Sequence, residues 1–197
     1  MSLGGAEEIS DGRVRRGARN REAIVEALFE LIGEGVIQPT AEQVAERAGV
    51  RVRTVFRHFD DMAGLNAELD RRIRSEVMPL LKWEPTGDVA ARTRELVQHR
   101  AAAFERAAPY KRSGDAQRWR RDYLQTQHET LVRELRRSLF VVLPELRDAD
   151  DDLQAAFELV VSFEAWMRLR HDQRLGTERA QAAMETAALA VVSRLDA

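Results

Sequence analysis

Cysteine is absent from the 197-residue sequence. Its absence excludes disulfides, thiolate metal sites and cysteine nucleophiles. Lysine is nearly absent: only Lys82 and Lys111 occur, so basic character rests on arginine. No apolar run approaches the ~18 residues of a membrane span. The first twelve residues hold Glu7, Glu8 and Asp11 and no apolar stretch, so they do not read as a secretory signal. A cytoplasmic location, with no membrane partner, is the expectation. Also missing is any sustained alternation of β-branched and polar residues, so strands are not expected. There is no Gly-rich phosphate loop, nucleophile elbow or metal-protease signature. His99, His128 and His171 are scattered, without the i, i+4 spacing that chelates a metal. Neither a catalytic site, a metal nor a cofactor is expected.

What is present is charge and helical periodicity. Formal net charge is −2, with 44% apolar and 32% charged residues. The charges are segregated. Arg13, Arg15, Arg16, Arg19 and Arg21 form one basic cluster, and Arg47, Arg51, Arg53 and Arg57 a second with no acid between them. Acids gather elsewhere, as at Asp148, Asp150, Asp151 and Asp152. An acidic protein so arranged can still turn one basic face to a nucleic acid.

Apolar residues recur at helical spacing almost throughout. Ile24, Ala27, Leu28, Leu31 and Ile32 predict a helix from about Arg19 to Glu34, closed by Gly35. Thr40, with Gln43 three residues on, reads as a capping box opening a helix that runs to about Ala48. A short helix follows from Val52 to His58, then one capped by Asp60 or Asp61 that runs to Val77, before Pro79. Longer helices are expected over 88–107, stopped near Pro109, and over 115–142, stopped by Pro144. Two more are expected over 148–170 and from Thr177, as cap, to about Leu195. The expected fold is all-α. Residues 1–18 are expected to form a flexible basic arm, 19–65 a three-helix domain and 66–197 a helical bundle. No Gly/Ser linker interrupts the chain, so the parts are expected to join rigidly.

The segment from Ala41 to Asp60 has the requirements of a helix-turn-helix. Ala45 is small where two helices cross, Gly49 is free to take positive φ, and Val44, Ala48, Val50 and Val55 fall where the pair must lock. Arg51, Val52, Arg53, Thr54, Phe56 and Arg57 are left around the second helix, largely unneeded by a core. Such a helix suits a major groove, where arginine reads guanine bidentately and apolar groups meet the thymine methyl. The arm, Arg13 to Arg19, suits a minor groove and reads equally as a disordered tail.

The stretch from Thr40 to Val50, with its Ala48-Gly49-Val50, followed by Thr54-Val55-Phe56-Arg57-His58-Phe59, resembles the TetR family of bacterial repressors. The resemblance covers about Arg19 to Leu69. More loosely, Ser162-Phe163-Glu164-Ala165-Trp166 with Leu169-Arg170 is similar to the family's dimer-forming helix. The resemblance implies a homodimer with two reading heads on double-stranded operator DNA and a small-molecule ligand in the bundle. It implies base contacts from Val52, Arg53 and Phe56, and phosphate contacts from Thr40, Arg51, Arg57 and His58. Three positions depart from the pattern: Arg51 replaces a small hydroxyl residue, Phe56 a tyrosine and Met62 a lysine.

Within the bundle, Phe104, Trp119, Tyr123, Phe157 and Trp166 are candidates to line an apolar ligand cavity, and each alone reads equally as core. Trp119 and Tyr123 share a helical face, each with a polar handle. The last two helices carry wide apolar stripes with small residues (Ala180, Ala183, Ala187, Ala188) and are the expected dimer interface. The reading is a ligand-responsive regulator, a repressor released from a palindromic operator by its ligand. The alternative is an all-α ligand-binding or interaction protein that has lost operator recognition.

Overall fold

The computed structural model describes the backbone of residues 4–118 and 122–195, and side chains from residue 14 onward within those ranges. Among the described residues every regular element is helical. The helices are α1 (Gly4–Gly33), α2 (Ala41–Arg47), α3 (Val52–His58), α4 (Met62–Val77), α5 (Val89–Arg118), α6 (Asp122–Val142), α7 (Asp151–Val160), α8 (Phe163–Met167) and α9 (Thr177–Val192). Short 3₁₀ turns cover Met78–Leu81 and Pro144–Arg147, and a π turn covers Arg168–Asp172. The chain divides into two compact units, Met1–Ser75 and Glu76–Ala197. Among the described residues no helix is long and apolar enough to cross a membrane. Nor does any group of three or more His, Asp or Glu among them stand ready to hold a metal ion.

The first unit buries the stripe read from the sequence. Ile24, Val25, Ala27, Leu28, Leu31 and Ile32 of α1 are buried, as are Ala41, Val44 and Ala45 of α2 and Val55 of α3. The capping box forms as expected: the Thr40 hydroxyl accepts from the Gln43 N–H at 3.3 Å, and Gln43 Oε1 accepts from the Thr40 N–H at 2.9 Å. Gly49 takes φ +66°, the left-handed conformation the sharp turn into α3 requires. Asp61 rather than Asp60 caps α4, accepting from the Gly64 N–H at 2.8 Å. α1, however, starts at Gly4 and not near Arg19, so the expected arm is helical from residue 4.

In the second unit α5 is central, packing against α6, α8 and α9. Its length departs from expectation: it passes through Pro109 to Arg118. An interior proline removes one helical hydrogen bond and crowds the carbonyl four residues back, at roughly 3 kcal/mol. Burial on both sides outweighs that loss: Ala101, Ala103 and Phe104 are buried before the proline and Ser113 after it. α6 accordingly begins at Asp122 rather than at 115. The helix expected over 148–170 is three pieces. α7 is capped by Asp150, which accepts from the Leu153 N–H at 2.7 Å. It ends at Val161, and Ser162 opens α8 by accepting from the Ala165 N–H at 3.0 Å. The cap of α9 is the backbone of Gly176, and Thr177 is already helical.

Two side chains of α5 hold the broken segment. Arg100 is 1% exposed and donates from Nη1 to the Val161 carbonyl, the break itself, and from Nη2 to the Leu135 carbonyl of α6, each at 2.7 Å. Burial pushes its pKa down, opposed by the Glu158 carboxylate. A guanidinium nonetheless stays protonated near neutrality. Five residues on, Glu105 accepts from Arg170 Nε at 2.7 Å and Nη2 at 3.1 Å, and from Trp166 Nε1 at 2.9 Å. Those donors, Arg170 first, hold the Glu105 pKa below the usual carboxylate value. A depressed carboxylate contributes stability above its unfolded pKa and loses it as pH falls through the folded one. Glu105→Gln is therefore expected to cost about 1–2 kcal/mol at pH 7. The difference from wild type should shrink as pH drops below about 4.3. Urea titrations at several pH values check both the size and the sign.

Candidate nucleic-acid interface

α3 is seven residues long, and Val55 is its one buried side chain. So short a helix cannot persist alone in water. It is held by Val55, by the buried Phe59 that follows it, and by its packing on α1 and α2. Arg51, Arg53, Phe56 and Arg57 are exposed, while Val52 and Thr54 are half-buried. Phe56 is 44% exposed.

The four arginines of the second cluster do not share one environment. Arg47 reaches back to α1, with Nη1 and Nη2 each 2.8 Å from a different Glu34 oxygen and Nη1 3.3 Å from Glu30. The Arg47 guanidinium holds the Glu34 pKa below its usual value. Arg51, Arg53 and Arg57, by contrast, make no ion pair or side-chain hydrogen bond among the described residues. The first cluster divides likewise: Arg21 pairs with Glu68 and lies 4.7 Å over the Phe59 ring, whereas Arg16 and Arg19 are exposed. Sequence order gave no sign of this division. Glu34 is thirteen residues from Arg47, and Glu68 is forty-seven from Arg21.

Two expected phosphate contacts have structural duties. Thr40 caps α2, and its hydroxyl, after the Glu42 backbone, helps hold the Glu42 carboxyl below its usual pKa. His58 is half-buried, with Nε2 enclosed and unpartnered. Its ring lies against α1, where a methyl on Gly17 would meet Cε1 at 3.9 Å. Burial, then the charges of Arg57 and Arg21, lower its pKa. Met62 is half-buried at the start of α4.

The ligand candidates are dispersed. Phe104, Phe157 and Trp166 belong to the core of the second unit, with Phe104 edge-on to Phe163 at 5.4 Å. Tyr123 is half-buried on α6, and Trp119 lies outside the described residues.

A helix pair with a left-handed glycine turn and a half-exposed arginine-rich second helix defines a helix-turn-helix DNA-binding protein. Residues 24–69 match the family model for bacterial regulatory proteins of the tetR family. A solved structure, that of a transcriptional regulator from Rhodococcus sp. Rha1, is similar in fold, with a TM-score of 0.67 and 18% identity over 90% of this chain and 96% of that one. Among curated proteins none matches. Over residues 24–69 the first unit thus carries a helix-turn-helix domain of the kind found in bacterial regulatory proteins of the tetR family.

Arg53→Ala is expected to cost about 1–3 kcal/mol on a duplex selected from a random pool, with relaxed preference at one base position. Arg57→Ala should weaken all duplexes alike and lower the salt slope by about 0.9. Binding titrations at several salt concentrations decide it, and two variants indistinguishable from wild type would remove α3 as the reader.

His58 yields a second expectation. A histidine whose folded pKa is lowered contributes stability that is complete above about pH 6.5 and is lost as pH falls toward the folded value. Wild type should thus lose more stability than His58→Gln between pH 7.5 and 5.5. Parallel melting curves for the two proteins measure the difference.

Proposed function

We propose that this regulator is a repressor that binds a palindromic operator as a homodimer and is released by a small molecule bound in its C-terminal unit. The observation that carries the DNA half of this reading is the division of the arginines. Arg47 and Arg21 are neutralised inside the first unit, and Arg51, Arg53 and Arg57 are left exposed on one short helix. Bases are read by Arg53, Val52 and Phe56, and phosphates are held by Arg51 and Arg57, with Thr40, Thr54 and His58 shaping the surface around them. Two-fold symmetry of the protein then demands two half-sites about 34–36 Å apart.

The dimer is supported by what α7 and α9 leave uncovered. Ala155, Ala156 and Leu159 lie exposed along α7, and Ala182, Ala187 and Ala190 along α9. Leu159 is 66% exposed. Small residues permit close helix approach, and two copies of such a face form a four-helix interface. In this reading the ligand enters the C-terminal unit, and since Phe104, Phe157 and Trp166 are buried in its core, entry requires that core to repack. A ligand that prefers the splayed dimer by about 1–3 kcal/mol lowers operator affinity by the usual allosteric factor.

Wild type should sediment as a dimer at micromolar concentration and protect a two-fold symmetric site on the selected duplex. Leu159→Arg, at an exposed position, should give a monomer of unchanged helicity with at least tenfold weaker operator binding. A variant that remains dimeric would exclude this face, and a monomeric wild type would exclude the homodimer.

A further inference from the structure

At the junction of α6 and α7 the arginines of the second unit are also divided. Arg92 reaches from α5 to the Glu145 carboxylate and, at 2.8 Å, to the Val142 carbonyl, and Arg136 lies 3.5 Å from Glu158 of α7. Arg137 and Arg147, by contrast, are exposed and make no ion pair or side-chain hydrogen bond among the described residues. Both line one open cleft of about 420 Å³, together with Phe140, Val141 and Gln154. Arg137, Phe140 and Val141 stand at i, i+3 and i+4, so one face of α6 supplies all three. Arg147 comes from the 3₁₀ turn Pro144–Arg147 and Gln154 from α7. The wall is firmly seated. Leu139, Val142, Leu143 and Leu146 of the same segment are buried in the core, and Gln154 Nε2 donates to the Ala149 carbonyl at 3.0 Å. Val141 itself is 69% exposed.

The cleft combines apolar surface with positive charge, and no carboxylate lines it. Glu145, the acid within the turn, is engaged by Arg92, whose guanidinium holds its carboxyl below the usual pKa. Asp150 is spent as the cap of α7. Asp148 and Asp151 pair with neither Arg137 nor Arg147. Two guanidiniums that line one concavity repel each other, more strongly against a low-dielectric wall than in bulk water. An anion between them turns that repulsion into attraction. The volume falls within the ~300–1,000 Å³ usual for small-molecule sites, and an apolar wall with a few polar groups is their usual makeup. A bare inorganic anion would leave Phe140 and Val141 uncovered, and a neutral apolar molecule would leave both guanidiniums unused. We propose that this cleft binds a small amphipathic carboxylate, with its acid group held by Arg137 and Arg147 and its apolar body laid on Phe140 and Val141. The guanidinium fork matches a carboxylate bidentately. The site is separate from the core, since Phe104, Phe157 and Trp166 do not line it, and it is independent of the DNA reading.

The test is calorimetric titration of the full chain with 4-phenylbutyrate and decanoate, with 4-phenylbutan-1-ol and acetate as controls. Methyl spectra of valine-labelled protein locate the site. At least one of the two carboxylates should bind at least tenfold more tightly than both controls and should move the Val141 methyl signals. Arg137→Gln/Arg147→Gln should weaken that carboxylate at least tenfold, with helicity and sedimentation unchanged. No binding of either carboxylate at millimolar concentration overturns the proposal. So does equal affinity for acid and alcohol, or for wild type and double variant. Binding that moves other valines and leaves Val141 still places the ligand elsewhere and overturns it too. If neither carboxylate binds and Val141→Asp converts a dimer to a monomer, the cleft is instead covered by a second copy of the chain.

Discussion

Val55 is the constraint on which the recognition surface depends. A seven-residue helix has too few internal hydrogen bonds to hold its own shape, so its geometry is borrowed from whatever it buries. Val55, followed by Phe59, seats α3 with the closed packing of Val44 and Ala45. With Val55 carrying the packing and His58 lying against α1, Arg53, Phe56 and Arg57 are left exposed. Gly49 completes the arrangement: at φ +66° it lets the chain turn sharply enough for Val50 N–H to close on the Ala45 carbonyl at 2.9 Å.

Charge is apportioned by the same logic. α1 supplies acids at Glu30 and Glu34 that take up Arg47, α4 supplies Glu68 for Arg21 and Arg71, and Arg72 pairs with Glu26. These exposed or half-exposed pairs contribute little stability individually, about 0–1 kcal/mol each. Their effect is to set the pattern of potential. Arg21, Arg47 and Arg72 are paired with carboxylates, and Arg51, Arg53 and Arg57 make no ion pair among the described residues. A chain with net charge −2 therefore presents a locally basic face.

The second unit is organised around a different scarcity. Its apolar core is contiguous, yet the chain over 148–172 does not run as one helix, and a break within a core leaves carbonyls that need donors. Arg100 supplies one from inside, to Val161, while its other nitrogen holds the Leu135 carbonyl of α6, and Glu105 gathers Arg170 and Trp166 where the last turn widens into a π segment. Both staples come from α5, the helix that continues through Pro109. The consequence is a bundle whose broken helix is pinned by polar contacts at two points.

Local chemistry made the helix-turn-helix legible in the sequence. A capping box spans three residues, a glycine turn one, and an amphipathic stripe repeats every turn, so Thr40, Gln43, Gly49, Val44 and Val55 could each be assigned from near neighbours. The all-α class and the bounds of α2 and α3 followed for the same reason. Long-range competition was not legible. Pro109 reads as a stop until burial on both sides carries the helix through it. Ser162 lies in an apolar run that reads as continuous helix until Arg100, sixty-one residues from Val161, provides a donor for the break. Arginines 47, 51, 53 and 57 are equivalent letters in one basic run, and only the fold brings Glu34 to the first of them. Helical periodicity and caps are properties of adjacent residues, so the sequence by itself determined which helices exist in the reading head. Which arginines are paired depends on distances between residues far apart in the chain, and only the tertiary structure decided that.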